Sequence, residues 1–271
     1  MEVCTLASGS SGNCLLVRGQ HQTILLDAGI SARRITNGLK ELGIGVDELD
    51  GILITHTHSD HISGLATLTK KLHIPIYASP LCAHQLCVKV PTAADMLYEV
   101  EPGEGVEIGA MWCRSFPTPH DSPGSVGWSV TTQGCKMALA TDLGHLTPQV
   151  LEGISGCDLL VAECNHDEDW VRTGPYPRYL QERILGKFGH LSNEVGASLV
   201  RKAVESGTRT VLLGHLSSDN NTPARARSVV ESCLRGAGID PQRDIELTVA
   251  PRSERGKVYH LEGHVPAQSA G

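Results

Sequence analysis

Short apolar runs, each closed by glycine or a polar turn, set the pattern of the first third of the chain. A first run at residues 3–7 breaks at Ser8-Gly9-Ser10-Ser11-Gly12. Runs at 14–17 and 23–26 follow, joined by a polar turn at 19–22. Runs of this length bounded by turn residues predict strands. The same reading predicts strands at 51–55, 75–78, 106–108, 111–116, 126–130, 136–140, 158–162, 210–213 and 245–249, the last clear one. Ser31 is placed as an N-cap for a helix through residue 42 that stops at Gly43. Further helices are expected at 62–72, 80–89, 179–187, 193–205 and 223–235. Residues 263–271 read as a loose tail.

No repeat or linker divides the chain, so residues 1–262 are expected to form one domain. Strands come in meander-like groups with helices between the groups, which fits a mixed α/β sandwich better than a regular βαβ repeat.

Composition changes this picture little. An apolar fraction of 40% permits a sizeable core, and aromatics at 4% leave it to Leu, Val, Ile and Ala. A formal charge of −7 excludes a general nucleic-acid coat but not a local basic patch. The nine cysteines are odd in number and contain no C-x-x-C pair, so free thiols in a reducing compartment are expected. The start lacks the basic segment of a signal peptide, and no apolar run reaches the ~20 residues of a membrane span. The expectation is a soluble cytoplasmic protein with no membrane partner and an open oligomeric state.

The chemistry concentrates at Thr55-His56-Thr57-His58-Ser59-Asp60-His61, just after an apolar strand. His56 and His58 can face one point, and Asp60 and His61 a second point nearby. Four metal-competent side chains in six residues serve two ions better than one. Imidazole and carboxylate suit Zn²⁺, Mn²⁺ or Fe, and no cysteine narrows the choice.

His56-x-His58-x-Asp60-His61 resembles the signature of the metallo-β-lactamase superfamily. Other motif positions of that family follow in order: Asp27 in Leu25-Leu26-Asp27-Ala28-Gly29, His120 in Pro119-His120-Asp121, Asp142 in Ala140-Thr141-Asp142, and His215 in Leu213-Gly214-His215. The resemblance implies a four-layered αββα sandwich and two divalent metal ions. His56, His58 and His120 would hold the first ion, Asp60, His61 and His215 the second, with Asp142 bridging. Asp27 would orient a ligand by hydrogen bonding, or serve only as a turn residue. The implied activity is hydrolysis by a metal-bridging hydroxide.

Four further segments narrow the resemblance: 6–13, Glu163-Cys164-Asn165-His166-Asp167, Gly189-His190-Leu191-Ser192-Asn193-Glu194 and 215–221. Together they are similar to the YycJ/WalJ-like branch, which implies a phosphodiesterase or nuclease and favours a DNA exonuclease. His190 and His166 are candidate phosphate contacts or proton donors, and Asn165 a candidate phosphate contact. Asp60 is counted with the catalytic residues as well as the ligands. Each of His166, His190 and Asn165 has the alternative of a structural polar group.

The stretch from Trp170 to His190 interleaves Arg172, Arg178, Arg183 and Lys187 with Trp170, Tyr176 and Tyr179. Such a mixture suits phosphates and bases, although an ordinary solvated helix face has the same composition. His21, His73, His84, His145, His260 and His264 match no motif position. The glycine-rich run at 8–12 has no following lysine and is not a P-loop. Two rivals stay open. One is a hydrolase of a small phosphodiester, thioester or lactone, or an RNA-processing nuclease of the same fold. The other is a non-catalytic protein that keeps its metals for stability.

Overall fold

The computed structural model describes residues 1–263. His264 and the rest of the expected tail lie outside the described residues.

Strand alternation builds the layers. In β3 (Thr23–Leu26), Ile24 and Leu26 face one way and Leu25 the other, and all three are fully buried. A strand buried on both faces must lie in a sheet covered on both sides. The sheet holds β1 (Glu2–Ala7), β2 (Cys14–Arg18), β3, β4 (Gly51–Leu53), β5 (Ile76–Ala78) and β6 (Leu97–Glu99), in that order. The strands from β3 to β6 run parallel.

A second sheet repeats the scheme with β7 (Gly105–Ile108), β8 (Met111–Pro117), β9 (Val126–Thr132), β10 (Cys135–Ala140), β11 (Leu159–Glu163), β12 (Thr210–Gly214) and β13 (Glu246–Val249). Here β10 to β13 are parallel. A two-residue β14 (Tyr259–His260) returns to pair with β1 in the first sheet.

Leu26, Leu53, Trp128, Met137, Leu159 and Leu212 fill the space between the sheets. Outside the first sheet, Leu25 and Ile52 meet α1 (Ala32–Glu41), α3 (Leu65–Leu68) and α4 (Pro80–Lys89) through Leu39, Leu65 and Leu86. Outside the second, Leu160 and Leu213 meet α5 (Pro148–Ile154), α8 (Asn193–Glu205) and α9 (Pro223–Gly236) through Val150, Leu199 and Val230. The result is the four-layered αββα sandwich. No helix among the described residues is long and apolar enough to cross a membrane.

Most predicted elements match within a residue or two, including the Ser31 cap on α1. The helix expected at 62–72 is corrected. It is two short turns, α2 (Ser59–Ile62) and α3, parted at Ser63-Gly64. Tertiary contact breaks it: Gly64 N–H donates to Ala28 O at 2.8 Å, and Ser63 Oγ donates to Gly29 O at 2.7 Å. β6, β14, α5 and α6 (Glu168–Thr173) are additions to the predicted set. The helix expected at 179–187 is the shorter α7 (Arg178–Ile184).

The loops after β3, β4, β8, β10, β11 and β12 all leave the same end of the sandwich. Rigid strands therefore aim loop side chains from both sheets at one region.

Candidate metal centre

Three strand exits turn sharply in the left-handed region: Asp27 after β3 (φ 61°), Asp142 after β10 (φ 60°) and His215 after β12 (φ 56°). A side chain there costs about 1–2 kcal/mol relative to the right-handed form. The sharp corner brings each side chain back over its own strand end. The segment after β4 supplies His56, His58, Asp60 and His61, and the loop after β8 supplies His120. His58 caps α2, and Asp60 and His61 fall in its first turn.

These residues converge in overlapping groups whose donor atoms all lie within 4.8 Å of one another. One is His56, His58 and His120; a second is Asp60, His61 and His215; a third is His56, His61 and Asp142. His58 Nδ1 and His120 Nε2 face each other at 3.2 Å. Asp142 lies between the groups, with Oδ2 3.4 Å from His61 Nε2 and Oδ1 3.6 Å from His120 Nε2 and 3.5 Å from His215 Nε2. All seven sequence-predicted ligands are thus brought together.

Carboxylates and carbonyls behind the histidines fix their rings. His61 Nδ1 donates to Asp27 Oδ2 at 2.7 Å. Thr55 gives its backbone N–H and its hydroxyl to the same carboxylate. With its proton so used, Thr55 Oγ1 accepts from His56 Nδ1 at 3.0 Å. His215 Nδ1 and His190 Nδ1 both donate to Glu163 Oε1 at 2.9 Å. His120 Nδ1 donates to Gly189 O at 3.1 Å. Each anchored ring turns its Nε2 to the centre, the tautomer a metal ligand needs.

The electrostatics fit cations. Burial works against charge on His61 and His215, yet neighbouring carboxylates prevail. Asp142 and Asp27 raise His61 well above its ordinary range, and Asp142, Asp60 and Glu163 raise His215 to about 10. Burial alone would lift Asp60, Asp142 and Glu163. Hydrogen bonds from His215 and His61 hold Asp60 low, the surrounding histidines hold Asp142 far down, and His190 and His215 bring Glu163 to about 2. Asp27, Asp60, Asp142 and Glu163 thus gather excess negative charge that attracts protons onto the rings, and divalent cations displace such protons on binding. His56 is the complement: burial and the neighbouring His61 lower it well below the ordinary range. His56 Nε2 and Asp142 Oδ2 are buried without a hydrogen-bond partner. Buried polar atoms normally have a partner, and an ion at the centre would supply one to both. The residues present fit divalent metal.

The centre opens into a cleft of about 380 Å³ lined by Asp60, His190, His215, Tyr176 and Arg183, among others. Asn165 also lines it, but its Nδ2 donates to His215 O at 2.8 Å, so it holds the His215 corner. His166 lies outside the cleft lining: it is buried, its Nδ1 faces Asn165 Oδ1 at 3.4 Å, and burial lowers its pKa to about 4. Its backbone forms an isolated parallel bridge with Ser192. The expected basic stripe also shrinks. Arg172 pairs with Glu168 and Arg178 with Glu182 on exposed helix faces, leaving Arg183 as the arginine at the cleft.

Sequence reasoning missed the roles of Glu163 and Thr55. Glu163 carried a usable signal: it ends an apolar strand, as Asp27 ends 25–26 and Asp142 ends 139–140.

Histidine and carboxylate clusters at the strand ends of an αββα sandwich define the centre of a metal-dependent hydrolase. A family model described as the Beta-lactamase superfamily domain matches residues 22–216. The chain belongs to the metallo-β-lactamase superfamily. It is 34% identical over 245 residues to the exodeoxyribonuclease YycJ of Bacillus anthracis, covering 89% of this chain and 92% of that one. It is 33% identical over 244 residues to the exodeoxyribonuclease WalJ of Streptococcus pneumoniae serotype 2, covering 87% of this chain and 90% of that one. Among solved structures, the metallo-β-lactamase fold protein YhfI from Bacillus subtilis superposes with a TM-score of 0.70 at 17% identity, over 96% of this chain and 99% of that one. That likeness concerns the fold.

Proposed function

We propose that this chain is a two-metal exodeoxyribonuclease. The observation that carries the reading is the set of converging ligand groups around Asp142, joined to likeness with two exodeoxyribonucleases over about nine-tenths of the chain. Four carboxylates in and behind the cluster offer four negative charges, which two divalent ions balance. Zn²⁺, Mn²⁺ and Fe²⁺ all suit the donors.

His56, His58 and His120 would hold one ion, Asp60, His61 and His215 the other, and Asp142 both. Bound there, such ions supply a water activated near neutral pH and shield phosphate oxygens. The chain's own residues do the rest. Asp27 and Glu163 keep the rings aimed. With Nδ1 given to Glu163, His190 presents Nε2 to the cleft, placed to carry a proton to the departing oxygen. Action from a strand end is the reading favoured by likeness to two exodeoxyribonucleases. Residues 1–262 are read as one hydrolase domain. The free, mostly buried cysteines support a reducing, cytoplasmic setting.

The test is digestion of an end-labelled, 5′-phosphorylated DNA duplex with Mn²⁺, with Zn²⁺ and with chelator, beside an RNA duplex and the Asp60→Ala protein. Metal-dependent shortening of DNA, reduced more than about a hundredfold in Asp60→Ala, is expected. The label gives the polarity. A protein holding two metals that leaves DNA intact overturns the reading, and a panel of small phosphodiesters and thioesters then finds the substrate.

A further inference from the structure

One wall of the cleft does not resemble the rest. The centre is ringed by imidazoles, carboxylates and serine hydroxyls, but Tyr176, Leu180, Arg183 and Ile184 face it from the α7 side. Positions 176, 180 and 184 are spaced four apart, so α7 and its lead-in turn one stripe toward the centre. Tyr179, on the other side, is 73% exposed. No residue of α7 is buried, so the helix adds little to the core. It is tied down locally: His190 N–H donates to Ile184 O, Gln181 Nε2 to Tyr176 O, and Arg183 to Asp121.

Apolar side chains offer no donor to a metal. They do make a face on which a flat ring can lie. Arg183 is the one lysine or arginine among the described residues lining the cleft. Its Nε and Nη2 meet Asp121 at 2.5 and 3.3 Å, and its side chain is 54% exposed. The guanidinium fork has five donors, so it can take a phosphate oxygen while still beside Asp121. Asp121 in turn lies 3.5 Å from both His58 Nε2 and His120 Nε2, which places Arg183 one side chain away from the metal-ligand group.

We propose that the inner face of α7 grips the terminal nucleotide of a DNA strand, with Arg183 on a phosphate and Leu180, Ile184 and the Tyr176 ring under the base. This rests on the nuclease reading and adds to it where the substrate lies. The platform offers apolar surface and a ring but few base-edge partners, so it holds any base. Sequence-tolerant degradation follows, as for other stacking platforms.

The experiment is steady-state digestion of duplex DNA by the metal-loaded protein over a salt series, with metal content and melting temperature measured for every variant. Arg183→Ala is expected to raise KM about tenfold at nearly constant kcat, and to flatten the salt dependence of log KM by about one unit per decade of salt. Arg183→Lys should restore the salt slope. Leu180→Ser should lose the wild-type preference for an ordinary terminal nucleotide over an abasic one. An unchanged KM and slope in Arg183→Ala, or loss of activity that follows loss of metal, overturns the grip while leaving the nuclease intact. Wild-type protein that holds metal but does not digest DNA removes both, and shows it before any variant is made.

Discussion

Asp27 Oδ2 sits 2.7 Å from His61 Nδ1, and both side chains are closed off from solvent. Through Thr55 the same carboxylate also sets His56. One acid thus orients a histidine of each of the two candidate ligand groups. Asp27→Asn keeps the shape and tolerates the left-handed backbone, but offers an amide where a carboxylate accepted. Metal affinity should fall about 10–100-fold with an unchanged circular dichroism spectrum, measured by competition with a chelating dye.

Glu163 is the counterpart on the second sheet, receiving His190 and His215 on one oxygen and the backbone N–H groups of Leu143 and Leu191 on the other. Glu163→Gln is expected to weaken metal binding about 10–100-fold as well. It should also lower kcat at saturating metal, because His190 loses its aim. Asp27→Asn, with metal restored, should recover most of its turnover. Kinetics at high Mn²⁺ separate the two variants.

Close approach fixes Gly29. A Cβ there would lie 1.6 Å from Asp60 O and 2.3 Å from its carbonyl carbon. Gly29→Ala must push the α2 turn, with Asp60 and His61, away from the β3 exit. A loss of more than about 3 kcal/mol is expected, together with loss of metal. Urea unfolding of metal-free protein measures the first effect, and metal analysis the second.

Asp167 caps α6 through Trp170 N–H and meets Arg225 Nε at 2.6 Å. Burial pushes its carboxyl up, but the Arg225 hydrogen bond outweighs this and lowers it below the ordinary carboxylate range. A lowered folded-state pKa stabilises above the unfolded value, about 3.9, and that stability goes as pH falls through the folded value. Asp167→Asn retains the cap and removes the charge. The melting temperature should therefore drop relative to wild type near pH 7, with the gap closing below about pH 4. A gap of constant size across that range contradicts the pairing.

Thiol chemistry offers a simple check on the layers. Of the nine cysteines, Cys87 is exposed and Cys233 half-buried, while burial pushes the thiols of Cys82 and Cys113 up to about 12. Iodoacetamide should label Cys87 first in the native protein, Cys233 slowly, and the rest after denaturation. Mass spectrometry of the peptides reads the order.

The mixed α/β sandwich was legible in the grouping of apolar runs, and the His56–His61 cluster in its own spacing. Asp27, His120, Asp142 and His215 stand alone in their loops, and it was the resemblance to an ordered family motif that picked them out. What stayed hidden depends on contacts distant in sequence. Gly64 looks like a tolerable glycine within a helix until Ala28 and Ile30 are seen against it. His166 has the credentials of a site residue, yet its side chain is buried beside Asn165 and outside the cleft lining. Arg172 and Arg178 read as a phosphate stripe until their i+4 or i−4 partners are counted. Arg183 alone of the three finds its partner, Asp121, across 62 residues, and no local pattern shows that.

The left-handed corners at Asp27, Asp142 and His215 bear on anyone who would transplant this centre. Copying the histidines onto another scaffold reproduces the donors but not their aim. Glycine would relax each corner and erase the side chain the corner exists to present, so directed evolution for stability has no easy exit at these three positions. A grafted centre has to begin with a backbone that turns the wrong way at three strand ends, and only then be given its ligands.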